Sequence, residues 1–405
     1  MKRFLLITLS LLALLTQAQN LPYITKVYDF MPAPGQFVNM SPKFNEGEPR
    51  DSIIARAQRA IAGYTTIESE EVEMPDGSII TVNDTTINVS PGLISLGSFG
   101  GYVVFGFDHP VVNVKDEYDF QIFGNATQAE NSTTSGGSCE PGIVMVSRDT
   151  NGNGIPDDPW YELAGSDYNN PKTQKHFTIT YYKPDEGKTP VPVPPYITDA
   201  EYIRWTCNSV DSLQEGYIRK NSFHAQSYWP QWAESETLTF EGTKLPCNAN
   251  DESGNGTYWV QRFFDWGYVD NRYDAHYGYG IDKDNYDLSL GFKIDWAVDD
   301  DGNTVELKKI DFVKVYSAML QDCGWLGETS TEVCGAIDLH PDAVAEPEPG
   351  DANGDGYVTS ADVTAIYDFI LNNDDSSLVN GDQNGDGNIT SSDVTTIYNI
   401  LLGNN

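Results

Sequence analysis

From about Leu93 to Leu339 the chain is a succession of short apolar runs. They include Tyr102–Phe107, Tyr118–Phe123, Gly142–Ser147, Phe177–Tyr182, Thr237–Phe240, Gly291–Trp296 and Ile310–Tyr316. Several alternate apolar with polar residues, the pattern of half-buried antiparallel strands. Loops of Gly, Pro, Asn and Asp separate them. Many short strands and few helices predict a mainly-β domain over residues 93–339, a jelly-roll-like β-sandwich. Residues 19–92 read as an N-terminal lead-in. Within it, 51–62 is expected to be a short helix with Asp51 as N-cap and Gly63 beyond its end. Strand-like pieces follow from Ile67 to Val89, around the turn Pro75-Asp76-Gly77.

The period changes near the C-terminus. Val363, Ile366, Tyr367 and Ile370 follow an i, i+3, i+4, i+7 rule, and Val394, Ile397, Tyr398 and Leu401 repeat it. Each stripe predicts an amphipathic helix. Residues 340–350, His-Pro-Asp-Ala-Val-Ala-Glu-Pro-Glu-Pro-Gly, read as a semi-rigid linker holding this module (351–405) away from the sandwich.

Each stripe is preceded by a twelve-residue loop, Asp351 to Asp362 and Asp382 to Asp393. Oxygen-bearing residues fall at positions 1, 3, 5, 7, 9 and 12. In the first loop these are Asp351, Asn353, Asp355, Tyr357 through its carbonyl, Thr359 and Asp362. In the second they are Asp382, Asn384, Asp386, Asn388 through its carbonyl, Thr390 and Asp393. This spacing wraps oxygens around one point, as a hard cation such as Ca²⁺ requires. Gly356 and Gly387 at position 6 permit the sharp turn. From Asp351 onward there is no Lys or Arg. Self-repulsion of that acidic ribbon should couple its folding to Ca²⁺.

Two loop-helix units without entering helices, Asp at position 12, and Ser-Ala or Ser-Ser at positions 10 and 11 resemble a type I dockerin. That resemblance implies docking to a cohesin-like receptor, with Ser360, Ala361, Ser391 and Ser392 in the recognition surface. This chain has Tyr367-Asp368 and Tyr398-Asn399 where many dockerins carry basic residues.

A third acidic loop lies between two strand candidates. Asp149, Asn151 and Asn153 hold positions 1, 3 and 5, with Gly154 at 6 and Asp157 at 9. Position 12 is Trp160, so closure is expected through Asp158. One reading is a structural Ca²⁺ site, the other an Asn-Gly hairpin turn. Asp299 to Asn303 carries only a turn signature.

At the N-terminus Lys2 and Arg3 precede an apolar run, Phe4 to Leu15, and then Thr16-Gln17-Ala18. That is the pattern of a secretory signal peptide, 1–18, so the protein is expected to be secreted or at the cell surface. The chain carries 24 basic against 60 acidic residues, a formal charge of −36. Such acidity argues against nucleic acid and anionic lipid as partners, and no later stretch is long and apolar enough to span a membrane. The five Cys residues leave at least one thiol unpaired; closeness in sequence suggests Cys323–Cys334 as a pair.

Parts of residues 90–340 are similar to exported surface proteins of Bacteroidetes-type bacteria. The likeness is carried by Phe99 to Asp108, Tyr118 to Asn125, Pro141 to Asp157, Trp160 to Gly165 and Ile310 to Tyr316. It implies a surface location and this fold; some members look like parts of surface nutrient-capture systems for a glycan or corrinoid ligand, and the likeness itself names neither a ligand nor an active residue. The Asp265–Asp287 loop lacks any clear period, so Tyr268, Tyr273, Tyr277 and Tyr279 are expected to be exposed ligand contacts. No H-E-x-x-H or G-x-S-x-G signature occurs. A glycoside hydrolase is the alternative, and would need two carboxylates about 5–5.5 or 6.5–9.5 Å apart that the sequence does not single out.

Overall fold

The computed structural model describes residues 20–45, 47–73, 79–129, 136–210, 213–273, 290–345, 347–354 and 356–403. It is mainly β, with a helical C-terminal region. At its centre lies an antiparallel six-stranded sheet. In spatial order its strands are Lys26–Met31, Tyr102–Gly106, Phe312–Ser317, Gly142–Ser147, Trp160–Leu163 and Ala297–Val298. A four-stranded antiparallel sheet of Glu215–Asn221, Ile197–Cys207, Gln174–Tyr182 and Thr237–Lys244 packs on one face.

The alternation in the central strands explains the layering. Ile143 and Met145 point into one apolar cluster, Val144 and Val146 into another. Val313 and Val315 join the latter, and Tyr316 the former. Side chains alternate between the faces of a strand, so this sheet is buried on both. Phe177, Ile179, Tyr181, Ile203 and Phe240 of the four-stranded sheet close one cluster. The other is closed by Phe120, Ile122 and Phe292 with a helix, α1 (Arg50–Ile61), through Ile53, Ala57 and Ile61.

Several expectations are corrected. The segment read as a lead-in supplies the edge strand Lys26–Met31, paired with Tyr102–Gly106. Helix α1 starts at Arg50 after Pro49; no side chain caps it, and Asp51 sits inside the first turn. Tyr64–Glu73 and Ile79–Asn88 pair as a hairpin, whose turn residues 74–78 lie outside the described residues. Gly291–Trp296 is not a strand. Only Phe292 makes a bridge, to Phe120, and Ile294–Trp296 is a 3₁₀ turn. The cause is Asp119, whose carboxylate accepts from Ile294 N–H and Val114 N–H, both at 2.7 Å. Cys323 and Cys334 are not joined, and among the described residues no disulfide links any of the five Cys.

Burial pushes the carboxyl of Asp119 up to about 6 and that of Glu328 up to about 7. The folded chain therefore keeps protons that the unfolded chain loses near its ordinary values. Their contribution is complete below about pH 4 and is lost as pH rises through 6 to 7. Replacing both, Asp119→Asn with Glu328→Gln, should flatten the fall in Tm between about pH 4.5 and 7.5 at fixed calcium. An unchanged slope in differential scanning calorimetry would show that these two groups do not set it.

Candidate metal and docking site

The C-terminal region holds two helices, α2 (Ser360–Asn372) and α3 (Ser391–Leu401). Val363 and Ile366 meet Val394 and Ile397 in one small core with Ala352. Each helix opens with the same capping box. The Thr359 hydroxyl accepts from Ala361 N–H at 3.0 Å, and Asp362 Oδ2 accepts from Thr359 N–H at 2.7 Å. Thr390 and Asp393 repeat this at 3.2 and 2.8 Å. Position 9 thus serves the helix cap.

The position-12 carboxylate also reaches back to the start of its loop. Asp362 Oδ1 accepts from Ala352 and Asn353 N–H at 2.9 and 3.1 Å; Asp393 Oδ1 accepts from Gln383 and Asn384 N–H at 2.8 and 3.1 Å. The short Asp side chain joins loop start to helix start at this point.

The position-1 carboxylate organises the turn between. Asp351 Oδ2 accepts from Gly356 N–H at 2.9 Å, and Asp382 Oδ2 from Gly387 N–H at 2.7 Å. Asp382 Oδ1 and Asn384 Oδ1 both accept from Asp386 N–H, at 3.1 and 2.9 Å. Gly356 and Gly387 have φ of +89° and +83°, the left-handed region where glycine is at ease. Asp355 lies outside the described residues. Asp351, Asp362 and Asp393 are buried, in a segment that has no Lys, Arg or His of its own. A buried carboxylate that stays ionised calls for hydrogen-bond donors and a compensating positive charge. The all-oxygen donor set at these positions fits Ca²⁺, which would be held by the loop side chains and the position-7 carbonyls and would neutralise that charge.

The loop at Asp149 has the same backbone pattern. Asp149 Oδ2 accepts from Gly154 N–H at 2.7 Å and Oδ1 from Asn153 N–H at 3.1 Å, while Asn151 Oδ1 accepts from Asn153 N–H at 3.0 Å. Asn153 donates to both oxygens of Asp157 at 3.2 Å, and Thr150 to Asp158. A loop that the sequence reading missed repeats it: Asp251 Oδ2 accepts from Gly256 N–H at 2.7 Å, with Ser253 and Asn255 at positions 3 and 5. Its signal was the D-x-S-x-N-G spacing, with serine in place of the asparagine at position 3. At Asp299, position 6 is Thr304 and the carboxylate closes a turn with Asn303 N–H at 2.8 Å.

The linker is not a spacer. Arg148, next to the third loop, donates to Glu348 at 2.9 Å and to the Gly356 carbonyl at 2.6 Å. Lys308 donates to the Pro347 carbonyl and Asn20 to that of Pro341. The Lys309 ammonium lies 5.4 Å from the Tyr357 ring centroid, and a Cβ on Gly356 would fall 1.7 Å from it. The first calcium-type loop is therefore held by basic side chains of the sandwich, which the acidic tail lacks. The corresponding residues of the second loop, 384–388, are exposed.

The aromatic loop is corrected in part. Tyr268 is only 7% exposed. It packs on Gly165, where a Cβ would lie 2.5 Å from the ring, and its hydroxyl accepts from Asp167 N–H at 3.0 Å. Tyr273 is 53% exposed, whereas Tyr277 and Tyr279 lie outside the described residues. Nearby, Glu140, Asp270 and Glu332 bring carboxylate oxygens within 4.8 Å of one another. Burial pushes all three up, and carboxylate neighbours push them further. Asp270 accepts from Asn125 and Glu332 N–H at 2.7 and 3.0 Å. The adjoining cavity, about 30 Å³, has room for a water and not for a sugar ring. This trio ties loops together inside the domain.

The tail is a pair of capped loop-helix repeats with calcium-type donor sets, the build of a small docking module. The family described as dockerin type I domain matches residues 349–402, after the large β-rich region. Domains of this family are calcium-associated, cohesin-binding and extracellular. No curated protein matches the chain. Among the described residues, no helix is long and apolar enough to cross a membrane.

Chelating calcium from the full chain should remove the far-ultraviolet circular dichroism of α2 and α3 while the β signal persists, and re-addition should restore it. Helicity indifferent to chelator and to millimolar calcium would refute the coupling. Arg148→Ala with Lys309→Ala should accelerate proteolysis within residues 340–350 several-fold at unchanged calcium. Equal cleavage rates in parent and variant would show that the basic side chains do not hold the linker.

Proposed function

We propose that this protein is exported by its N-terminal signal and tethered through its dockerin domain to a cohesin-like receptor. The β-sandwich captures a glycan or another nutrient ligand, such as a corrinoid. The observation that carries the tethering is the pair of loop-helix repeats closed by Asp362 and Asp393. Ser360, Ala361, Ser391 and Ser392 are all exposed at the helix N-termini, where a receptor would read them. Calcium occupies both tail loops, and a third ion sits in the Asp149 loop among Asn151, Asn153, Asp157 and Asp158. Capture rests on the resemblance of residues 90–340 to Bacteroidetes-type surface proteins and on exposed aromatic side chains of the sandwich. A glycoside hydrolase remains the competing class; the enclosed trio of Glu140, Asp270 and Glu332 offers no cleft with facing carboxylates.

Binding to a panel of immobilised cohesin domains, with calcium and with chelator, tests the tether. Asp351→Ala with Asp382→Ala should abolish docking, and undiminished docking would count against the cation mechanism. Incubation with a polysaccharide panel separates the two classes: binding without release of reducing sugar supports capture, and turnover supports the hydrolase.

A further inference from the structure

Three aromatic side chains from separate segments converge on the sandwich surface, well apart in sequence from the Asp265 loop. Tyr196 precedes the strand Ile197–Cys207, Phe223 follows the strand Glu215–Asn221, and Trp325 lies in the 3₁₀ turn Gly324–Leu326. Their ring centroids are 5.4 Å (Tyr196–Phe223), 5.9 Å (Tyr196–Trp325) and 5.5 Å (Phe223–Trp325) apart. All three separations fall in the contact range of aromatic pairs, so the rings form one surface. Tyr196 is 42% exposed and Phe223 54%; Trp325 is partly exposed.

Leaving such rings in water forgoes about 25 cal/mol for every Å² not buried. The fold nevertheless holds them in place with a buried polar hub. Asn221 Oδ1 accepts from Phe223 and His224 N–H at 3.1 and 3.0 Å, and its amide donates to the Trp325 carbonyl at 3.3 Å and to Gln36 at 2.7 Å. Ser222 N–H donates to the Tyr196 carbonyl at 2.8 Å. Trp325 Nε1 reaches the Thr257 carbonyl at 3.4 Å. One buried amide therefore positions two of the three segments and its neighbour the third. Such rigidity lowers the ordering cost of binding.

We propose that Tyr196, Phe223 and Trp325 form a preorganised platform for the pyranose rings of a neutral glycan chain. Sugar rings offer apolar C–H faces to aromatic rings and hydroxyls to a polar rim. The neighbouring charges are internally paired: Arg219 with Asp322 at 2.6 Å, and Lys220 with Glu186 at 3.9 Å. An anionic polymer would find no net attraction there, while the same groups can hydrogen-bond hydroxyls. The exposed area of the three side chains is on the order of 200 Å². That lies within the few hundred Å² of apolar patch a soluble monomer exposes and falls short of the roughly 800 Å² per partner of a stable protein interface.

This inference rests on the glycan-capture reading and locates its site. Affinity electrophoresis of the calcium-loaded full chain through gels containing soluble glucan, xylan, mannan or polygalacturonate tests it. At least one neutral polymer should retard the protein. Tyr196→Ser with Phe223→Ser should weaken that retardation at least tenfold, as should Trp325→Ala alone, with Tm and cohesin docking unchanged. Retardation by a neutral polymer that survives both variants would overturn the platform and leave capture standing elsewhere on the sandwich. Retardation by polygalacturonate alone would overturn the assignment to neutral glycans, and no retardation by any polymer would overturn platform and capture together.

Discussion

A buried carboxylate that gathers backbone N–H groups around itself is the constraint on which the tail depends. Asp351 and Asp382 each fold the next five residues into a turn by accepting from the position-6 glycine. Asp362 and Asp393 then tie that turn to the first turn of a helix. The hydrogen bonds fix the geometry, but partial N–H charges do not neutralise full negative charges withdrawn from water. A divalent ion would supply what the tail's own composition omits. Metal binding and folding would then be one equilibrium.

The two loops meet this constraint differently. The second is open to solvent, and its counter-charge would come from a bound ion. The first lies against Arg148 and Lys309, which bring part of the positive charge from the sandwich. The linker, tied down at Pro341, Pro347 and Glu348, joins the modules into one surface. An acidic Pro-rich segment extends when nothing lies beside it; here a basic edge of the sandwich does.

Legibility followed the range of the determining interaction. Loop-helix repeats are set by contacts within about a dozen residues, so spacing alone revealed them, including the recurrence at Asp149. Strand runs were legible as short β-branched and aromatic stretches, continuous where both faces of the sheet are buried: Ile143 and Val144 point to different cores. The exceptions arise from distant partners. Gly291–Trp296 has strand-like residues, yet Asp119, about 175 positions away, turns it into a 3₁₀ segment. Tyr268 stands in an aperiodic loop but finds a space kept open by Gly165. The Arg148 contact to Gly356 and the Asn221 contact to Trp325 cross 208 and 104 positions, and no local pattern announces either.

Exposed and buried aromatics differ here in what holds their backbones. Tyr228 and Trp229 sit in the core, where packing of their rings adds to hydrogen bonds such as that from the Tyr228 hydroxyl to the His224 carbonyl, 3.2 Å. Phe223, close by in sequence, points outward and gains little from packing, so its position has to be imposed by hydrogen bonds beneath it. Asn221 supplies them because a single amide carries both an acceptor and donors, enough to hold one segment by its N–H groups and another by its carbonyl. A buried amide left half satisfied would destabilise the domain; with its acceptor and donors engaged, it holds the segments that carry the outward aromatic surface. Rigidity at an exposed apolar surface does nothing for solubility. Its physical return comes only when something flat settles on it.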